Sequence, residues 1–419
     1  MLSLQLIRQS PEVVRESLAK RGEATKLEEI ILLDEERRRL IQEVEGLRAR
    51  RKQASKEIGQ MKEKPPELLA EMRETGEMIK SLDDEISRND EQLNDLLLRL
   101  PNLVRPTVPV GEDESGNILV RSWGETAGPG FDLLPHWDIG TRLGIIDFER
   151  GVKISGSRFY VLKGMGARLQ RALITYMLDL HIKEHGYTEV YPPFVVKEES
   201  MLGSGNLPKF AENLYHDAED DLWLVPTAEV PVTNLHRDEI LEPGTLPLYY
   251  VAYTACFRRE RMSAGKDTRG IKRGHQFDKV EMYKFVEPDT SDDELEKMVE
   301  SAESICRNLG LPYRVLQLCS GDLGFASSKS YDIEMWAPGC GEWLEVSSCS
   351  NCTDFQARRS NIRYRPQAGE KPQFVHTLNG SGLALPRVLI SVLENYQRPD
   401  GSVTVPEALR SYVGAEVIG

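Results

Sequence analysis

The chain has 419 residues, 40% of them hydrophobic, enough for a substantial core and two or three domains. Its net charge of −14 excludes wholesale coating of nucleic acid, while leaving local basic patches free to bind it. No stretch approaches the roughly twenty apolar residues that span a bilayer. The opening MLSLQLIRQS lacks the pattern of a secretory signal, and six cysteines in that setting read as reduced thiols of a cytoplasmic protein.

In chain order, Ser10-Pro11 reads as an N-cap followed by proline at the first helical position, opening a helix that runs to about Lys20 and stops near Gly22. From Leu27 to Lys62, apolar residues recur every three or four positions, including Ile30, Leu33, Leu40, Val44, Ile58 and Met61, with Arg37 and Arg51 interrupting. Pro65-Pro66 breaks that run. A second run carries Leu69, Met72, Ile79, Leu82, Ile86, Leu93, Leu96 and Leu100. The pattern predicts an antiparallel coiled-coil hairpin within a domain spanning 1–103. Each helix of about 35 residues would be roughly 50 Å long, an arm with one narrow apolar seam. Such an arm is either a dimerising spacer or a probe for an extended partner. Arg48, Arg50, Arg51, Lys52 and Lys56 form a cluster that could follow a phosphate backbone.

Residues 104–132 are rich in proline, glycine and acid and read as a linker, with a short strand candidate from Ile118 to Trp123. The domain from 133 to 419 mixes strands and helices in blocks, which predicts an α+β fold on an antiparallel sheet. Expected elements are a strand at Phe159–Leu162, a helix from Ala167 to about Glu184, and an edge or interface strand in GYTEVYPP, closed by Pro192-Pro193. They continue with a strand from Leu222 to Pro231, a helix from Asp292 to Leu309 and a strand from Tyr313 to Cys319.

Between these lies a charged hairpin. Its arms run from Tyr249 to Glu260 and from Gln276 to Val286, joined by a cationic loop with Lys266, Arg269, Lys272 and Arg273. Side chains two apart share a strand face. Arg258 and Glu260 therefore pair on one arm, and Phe277, Lys279, Glu281, Tyr283 and Phe285 on the other. A face with Arg, Glu, an aromatic ring and a second Glu suits a ligand with a phosphate, a planar base and an ammonium group. It suits an apolar core poorly, and the competing reading is an exposed, salt-bridged hairpin.

The Phe257-Arg258-Arg259-Glu260 strand, its loop and the returning strand resemble motif 2 of class II aminoacyl-tRNA synthetases. GYTEVYPP resembles motif 1, and Asn379-Gly380-Ser381-Gly382-Leu383-Ala384-Leu385-Pro386-Arg387 resembles motif 3. With Thr227-Ala228-Glu229, Glu345-Val346-Ser347-Ser348 and the N-terminal hairpin, the chain is similar to bacterial-type seryl-tRNA synthetases over nearly its whole length. That family implies ATP-dependent formation of seryl-adenylate and transfer of the seryl group to tRNA(Ser), and to tRNA(Sec) where the host has one. It implies a homodimer through motif 1, with Mg²⁺ as cofactor.

The resemblance implies an ATP site of Arg258, Arg259, Glu260, Gly274, Phe277, Glu345, Val346, Ser347, Ser348 and Arg387. Arg258 and Arg387 are the catalytic cations, and Glu345 and Ser348 the Mg²⁺ ligands. Thr227, Ala228, Glu229, Arg258, Glu281 and Ser381 make the serine pocket, with the assignment of its hydroxyl and amine partners left open. Lys266, Arg269, Lys272 and Arg273 guide the tRNA acceptor end, and Arg48, Arg51 and Lys52 meet the tRNA from the arm. Glu345 and Ser348 stand three apart, which is not a same-face spacing on a regular strand, so the chain must bend between them or a water must serve in place of one. Pro386 stands where many class II enzymes have glycine, a substitution compatible with a helix start.

Two rival readings are a serine-activating relative that loads a carrier protein, which would lack the long arm, and a silent paralogue, which would have lost Arg258, Glu260, Glu345 or Arg387. Cys349-x-x-Cys352 has a zinc-ligand spacing, but no second pair completes it, so its thiols are expected free. His275 is expected to be structural.

Overall fold

The computed structural model describes the chain except residues 24–25, 62, 127–129 and 262–268. It divides into two units, one of residues 2–19 and 23–100, the other of residues 101–419 with Met1 and residues 20–22. Among the described residues, no helix is long and apolar enough to cross a membrane.

The smaller unit contains α1 (Leu4–Gln9), α2 (Pro11–Lys20, whose last residue belongs to the other unit), α3 (Leu27–Gln60) and α4 (Pro66–Arg99). Helices α3 and α4 form the expected hairpin. Arg37 pairs with Asp90, Arg48 with Asp83 at 2.8 Å, and Arg51 lies beside Gly76, so positions advance on one helix as they recede on the other. Ile30, Leu40 and Val44 are buried along α3, and Ile79, Leu93, Leu96 and Leu97 along α4.

The seam departs from its expected apolar register at two places. Leu33 is only half-buried, and Asp34 is buried instead, held by Arg8 through bonds of 2.5 and 2.6 Å. At the turn end, Met61 and Leu69 are largely exposed.

The larger unit is built on one eight-stranded sheet. Its strands are β1 (Ile118–Trp123), β2 (Thr188–Glu189), β3 (Leu248–Phe257), β4 (Gln276–Val286), β5 (Tyr313–Gln317), β6 (Lys329–Ala337), β7 (Glu342–Thr353) and β8 (His376–Ala384). They lie in the order β1-β5-β6-β7-β8-β4-β3-β2. Every neighbouring pair is antiparallel except β2 with β3 at the edge, which places the motif 1 strand on a sheet edge as its prolines require. The helices used below are α5 (His136–Arg142), α6 (Met165–His185), α7 (Glu229–Thr233), α8 (Ser291–Asn308) and α9 (Leu385–Asn395).

Strand alternation sets the layers. Val280, Met282 and Val286 of β4 enter the main core with Leu173, Met177, Val299 and Leu389 of the helices. On the opposite face, Phe277, Lys279 and Glu281 line a cavity, whereas Tyr283 and Phe285 enter a small second core with Ala228 and Val232. The charged face predicted for β4 is therefore polar for only half its length.

Several expected boundaries shift. The stretch read as a linker is built into the larger unit: β1 pairs along β5, and Val108 packs with Leu318 and Leu323. Only Val161–Leu162 and Leu222–Leu224 remain strand in their segments. After Pro226, the Thr227 hydroxyl accepts the Glu229 amide at 3.2 Å and opens α7, which ends the extended conformation.

Phe285→Ala is expected to lower the unfolding free energy by about 3–5 kcal/mol in urea titration, because Phe285 is fully buried. Leu32→Ala, at an exposed helix position, should change it by less than about 0.5 kcal/mol.

Candidate active site

The cavity lies on the face of the sheet turned away from the main core, where β4, β7 and β8 run side by side between α7 and the start of α9. Register places its residues. Glu281 stands opposite Ser381, and Tyr283 opposite Asn379, in the β4–β8 pair.

Strand β3 ends at Phe257, earlier than expected, but the ladder persists one step: the Arg258 amide donates to His275 O at 2.9 Å. His275 closes the same step, its Nδ1 lying 2.9 Å from Arg258 O, which is the structural role expected of it. The Arg258 guanidinium donates to Pro226 O at 3.2 Å and lies 5.1 Å from the centre of the Phe277 ring. Glu260 reaches the cavity from a left-handed backbone (φ 51°), not from a strand face shared with Arg258.

The spacing problem between Glu345 and Ser348 is resolved by a β-bulge. Ile333 pairs with Ser347 and Glu334 with Glu345, so Val346 is an extra residue on β7. The bulge returns Glu345 and Ser348 to one side, and both line the cavity. Arg387, in the first turn of α9, donates to Glu345 O at 2.6 Å and stands 3.4 Å from its carboxylate. Pro386 occupies that helix start, where its missing N–H costs nothing. Desolvation pushes the Glu345 carboxyl up, but the Arg387, Arg258 and Arg273 charges outweigh it and hold it below its ordinary value.

The opposite end of the cavity holds Thr227, Glu229, Lys279, Glu281, Asn379 and Ser381. Glu281 is 2% exposed and forms an ion pair with Lys279. Glu229 Oε1 accepts from Gln356 at 2.6 Å and from Asn379 at 3.1 Å. Burial, and then repulsion from Glu281, push the Glu229 carboxyl up to about 7. Gln356 is itself fixed from the core, its Oε1 accepting from Tyr283 at 2.9 Å and Thr377 at 2.7 Å.

Of the expected ATP and serine residues, Arg259, Ser347 and Ala228 lie outside the cavity lining. Arg259 turns away, donating to Leu214 O at 2.7 Å with its guanidinium over the Tyr215 ring. Ser347 points to the opposite side of β7 and donates to Ser381 O at 2.6 Å. Ala228 packs in the second core. Lys272 and Arg273, expected to guide tRNA, line the cavity itself, while Arg269 stacks over Trp137 at 4.8 Å. Lys266 lies outside the described residues. On the hairpin, Arg48 is engaged with Asp83, and Arg51 and Lys52 are exposed. Sequence reasoning assigned no role to Lys279, Asn379, Ala384 or Pro386, which also line the cavity. Lys279 was legible from its two-residue spacing between Phe277 and Glu281.

Oxygen donors at the Glu345 end fit a hard divalent cation. Asp332 stands opposite Ser348, and its buried Oδ1 has no hydrogen-bond partner. Desolvation and the nearby Glu345 charge push the Asp332 carboxyl well up, a conflict that a bound cation would relieve. Cys349 and Cys352 are free and buried, and Cys352 Sγ accepts from Asn379 at 3.4 Å.

Known proteins similar in sequence and architecture decide the family. The model of the class II tRNA synthetase core domain (G, H, P, S and T) matches residues 210–396, and that of the seryl-tRNA synthetase N-terminal domain matches residues 1–104. The serine–tRNA ligase of Thermomicrobium roseum is 62% identical over 99% of this chain and 94% of its own length. The serine–tRNA ligase of Roseiflexus sp. is 61% identical over 100% and 99%. The chain belongs to the seryl-tRNA synthetase family. Among solved structures, the seryl-tRNA synthetase of Pyrococcus horikoshii complexed with ATP superposes with a TM-score of 0.94 at 42% identity, over 100% of this chain and 99% of that one. The cytoplasmic serine–tRNA ligase of Naegleria fowleri in complex with AMP gives 0.87 at 34% identity, over 99% and 96%. The sequence expectations of fold class and family are thereby met.

Lys279→Met should lower folding stability by about 3–5 kcal/mol at pH 8, because it strands the buried Glu281. The Lys279→Met/Glu281→Leu pair should recover most of that loss in the same denaturation assay.

Proposed function

We infer that this chain is a serine–tRNA ligase, which activates L-serine with ATP and transfers the seryl group to tRNA(Ser). The observation that carries this reading is one cavity with Arg258, Glu345 and Arg387 at one end and Glu229, Glu281, Thr227 and Ser381 at the other. A serine carboxylate oxygen attacks the α-phosphorus of ATP, a new C–O–P link forms, and the bond to pyrophosphate breaks. Negative charge grows on the phosphoryl oxygens, and fixed cations lower that barrier without a protein nucleophile. Arg258 is suited to hold the α-phosphate and the serine carboxylate together, since its guanidinium presents a fork of donors. Arg387 meets the γ-phosphate end. Glu260 accepts from the adenine amino group, and the Phe277 ring, backed by Arg258, stacks on the base.

Glu229 and Glu281 take the serine ammonium, and Thr227 and Ser381 offer hydroxyl partners. Polar groups that must bond a hydroxyl reject alanine by being left unpaired. Glu345 and Ser348, with Asp332 behind them, are the residues that would hold Mg²⁺, which when bound neutralises charge on the ATP phosphates. Lys272 and Arg273 are placed to meet phosphate at the cavity.

The α3–α4 hairpin is read as the tRNA-binding arm, with Arg51 and Lys52 free to meet a phosphate backbone; serylation of tRNA(Sec) would use the same site. A homodimer through motif 1 is supported by the sheet-edge position of β2 and by Tyr191, 78% exposed just beyond it. Six free cysteines favour the cytoplasm.

ATP–pyrophosphate exchange should proceed with serine and not with alanine or threonine; exchange with another amino acid, or none, contradicts the reading. Arg258→Ala should lower kcat/KM for exchange by about 100- to 1,000-fold. Removal of residues 34–97 should leave exchange intact and abolish tRNA charging, measured with labelled serine; persistent charging would make the arm a spacer.

A further inference from the structure

Away from the reacting groups, His136, Glu394 and Cys340 form a cluster in which the His and Glu side chains are fully buried. Glu394 Oε1 lies 2.9 Å from His136 Nδ1 and 2.9 Å from the His136 amide, and accepts the Cys340 thiol at 3.0 Å. Glu394 Oε2 accepts the Cys340 amide at 3.0 Å. On the far side of the ring, the Ile271 amide donates to His136 Nε2 at 3.2 Å. A backbone amide can only donate, so Nε2 is the acceptor and Nδ1 carries the proton given to Glu394. A metal on Nδ1 would force a proton onto Nε2, against the Ile271 N–H. The cluster is thus complete as a hydrogen-bonded hub.

Its position gives it a role. Ile271 is the residue before Lys272 and Arg273, at the foot of the cationic loop where it re-enters the cavity. The foot is seated tightly on α5: Arg269 lies over Trp137, and a Cβ at Gly270 (φ 78°) would come within 2.1 Å of His136 Nε2. Glu394 lies two turns along α9 from Arg387, and Cys340 sits in the turn from β6 to the β7 strand that carries Glu345. One carboxylate therefore joins the three segments that supply cations and the acidic end of the ATP site.

We propose that His136 and Glu394 are positioning residues that lock the foot of the motif 2 loop, so that Lys272 and Arg273 are held ready for the ATP phosphates. The locking of the loop foot stands without the ligase reading, whereas its service to the ATP phosphates and the kinetic readout rest on it.

Hydrogen–deuterium exchange of the peptide spanning 269–277, which needs no activity, should show protection in the full chain and its loss in His136→Ala and Gly270→Ala. In pyrophosphate exchange, both variants should raise the KM for ATP about tenfold, the scale of one lost anchoring hydrogen bond, and leave the KM for serine unchanged. His136→Gln, whose amide can both accept from Ile271 and donate to Glu394, should restore most of the ATP affinity. Gly270→Ala keeps all three hub side chains and disturbs only their contact with the loop foot, where its Cβ would meet His136 Nε2, so it decides the matter if His136→Ala does not fold. Unchanged protection and KM for ATP in Gly270→Ala, equal changes in both KM values, or a His136→Gln variant no better than His136→Ala would overturn the proposal. Failure of the wild type to exchange with serine would instead count against the ligase reading and leave the protection result standing.

Discussion

Two carboxylates, Glu229 and Glu281, share the deep end of the cavity with one buried amine, Lys279. With both acids ionised, the group carries one uncompensated negative charge in a place where water is scarce. Such a charge is costly in a protein interior and is ordinarily removed by protonation or by a partner. Here burial and the Glu281 charge raise Glu229 to about 7, so the pocket by itself holds its excess charge only in part. An ammonium group, as in the serine binding proposed above, would supply that partner. The same imbalance explains the investment in Gln356 and Asn379, which fix Glu229 from behind and leave its outward oxygen for a ligand.

The other end of the cavity solves the opposite problem. Arg258, Arg273 and Arg387 converge with Glu345 and Glu260 as the acids beside them among the described lining residues, a surplus suited to phosphates. The sheet keeps the two ends apart along one face, and its irregularities do the aiming. The bulge at Val346 turns Glu345 and Ser348 to the same side, and the register shift of β4 against β8 falls between Lys279 and Glu281, within the cavity wall. Proline at the start of α9 puts Arg387 in the first turn, beside Glu345.

Much of this was legible in the sequence because it follows short periods. The two-residue alternation placed Phe277, Lys279 and Glu281 together, and the three-and-four spacing found α3 and α4 to within three residues at their ends. What escaped depends on partners distant in sequence. Arg259, which alternation places on the face away from Arg258, was still grouped with the ATP residues, and Leu214 and Tyr215 hold it outside the cavity. Tyr283 and Phe285 continue the charged face by spacing, yet α7 covers them. The spacing of Glu345 and Ser348 left a bend or a water open, and the bulge that brings them to one side depends on the pairing with β6. Residues 104–132 read as a linker because glycine, proline and acid dominate, while the strand within them gains its place only from β5.

The charge imbalance at Glu229 is open to one direct measurement. A raised carboxyl pKa means that Glu229 is partly protonated near pH 7, and an incoming ammonium favours its ionised form. Serine binding near pH 7 should therefore release a fraction of a proton, seen by calorimetry as a binding enthalpy that varies with the ionisation enthalpy of the buffer. The release should fade toward pH 9, where Glu229 is already ionised, and be absent in Glu229→Gln. A binding enthalpy independent of buffer at pH 7, with serine bound, would contradict the account.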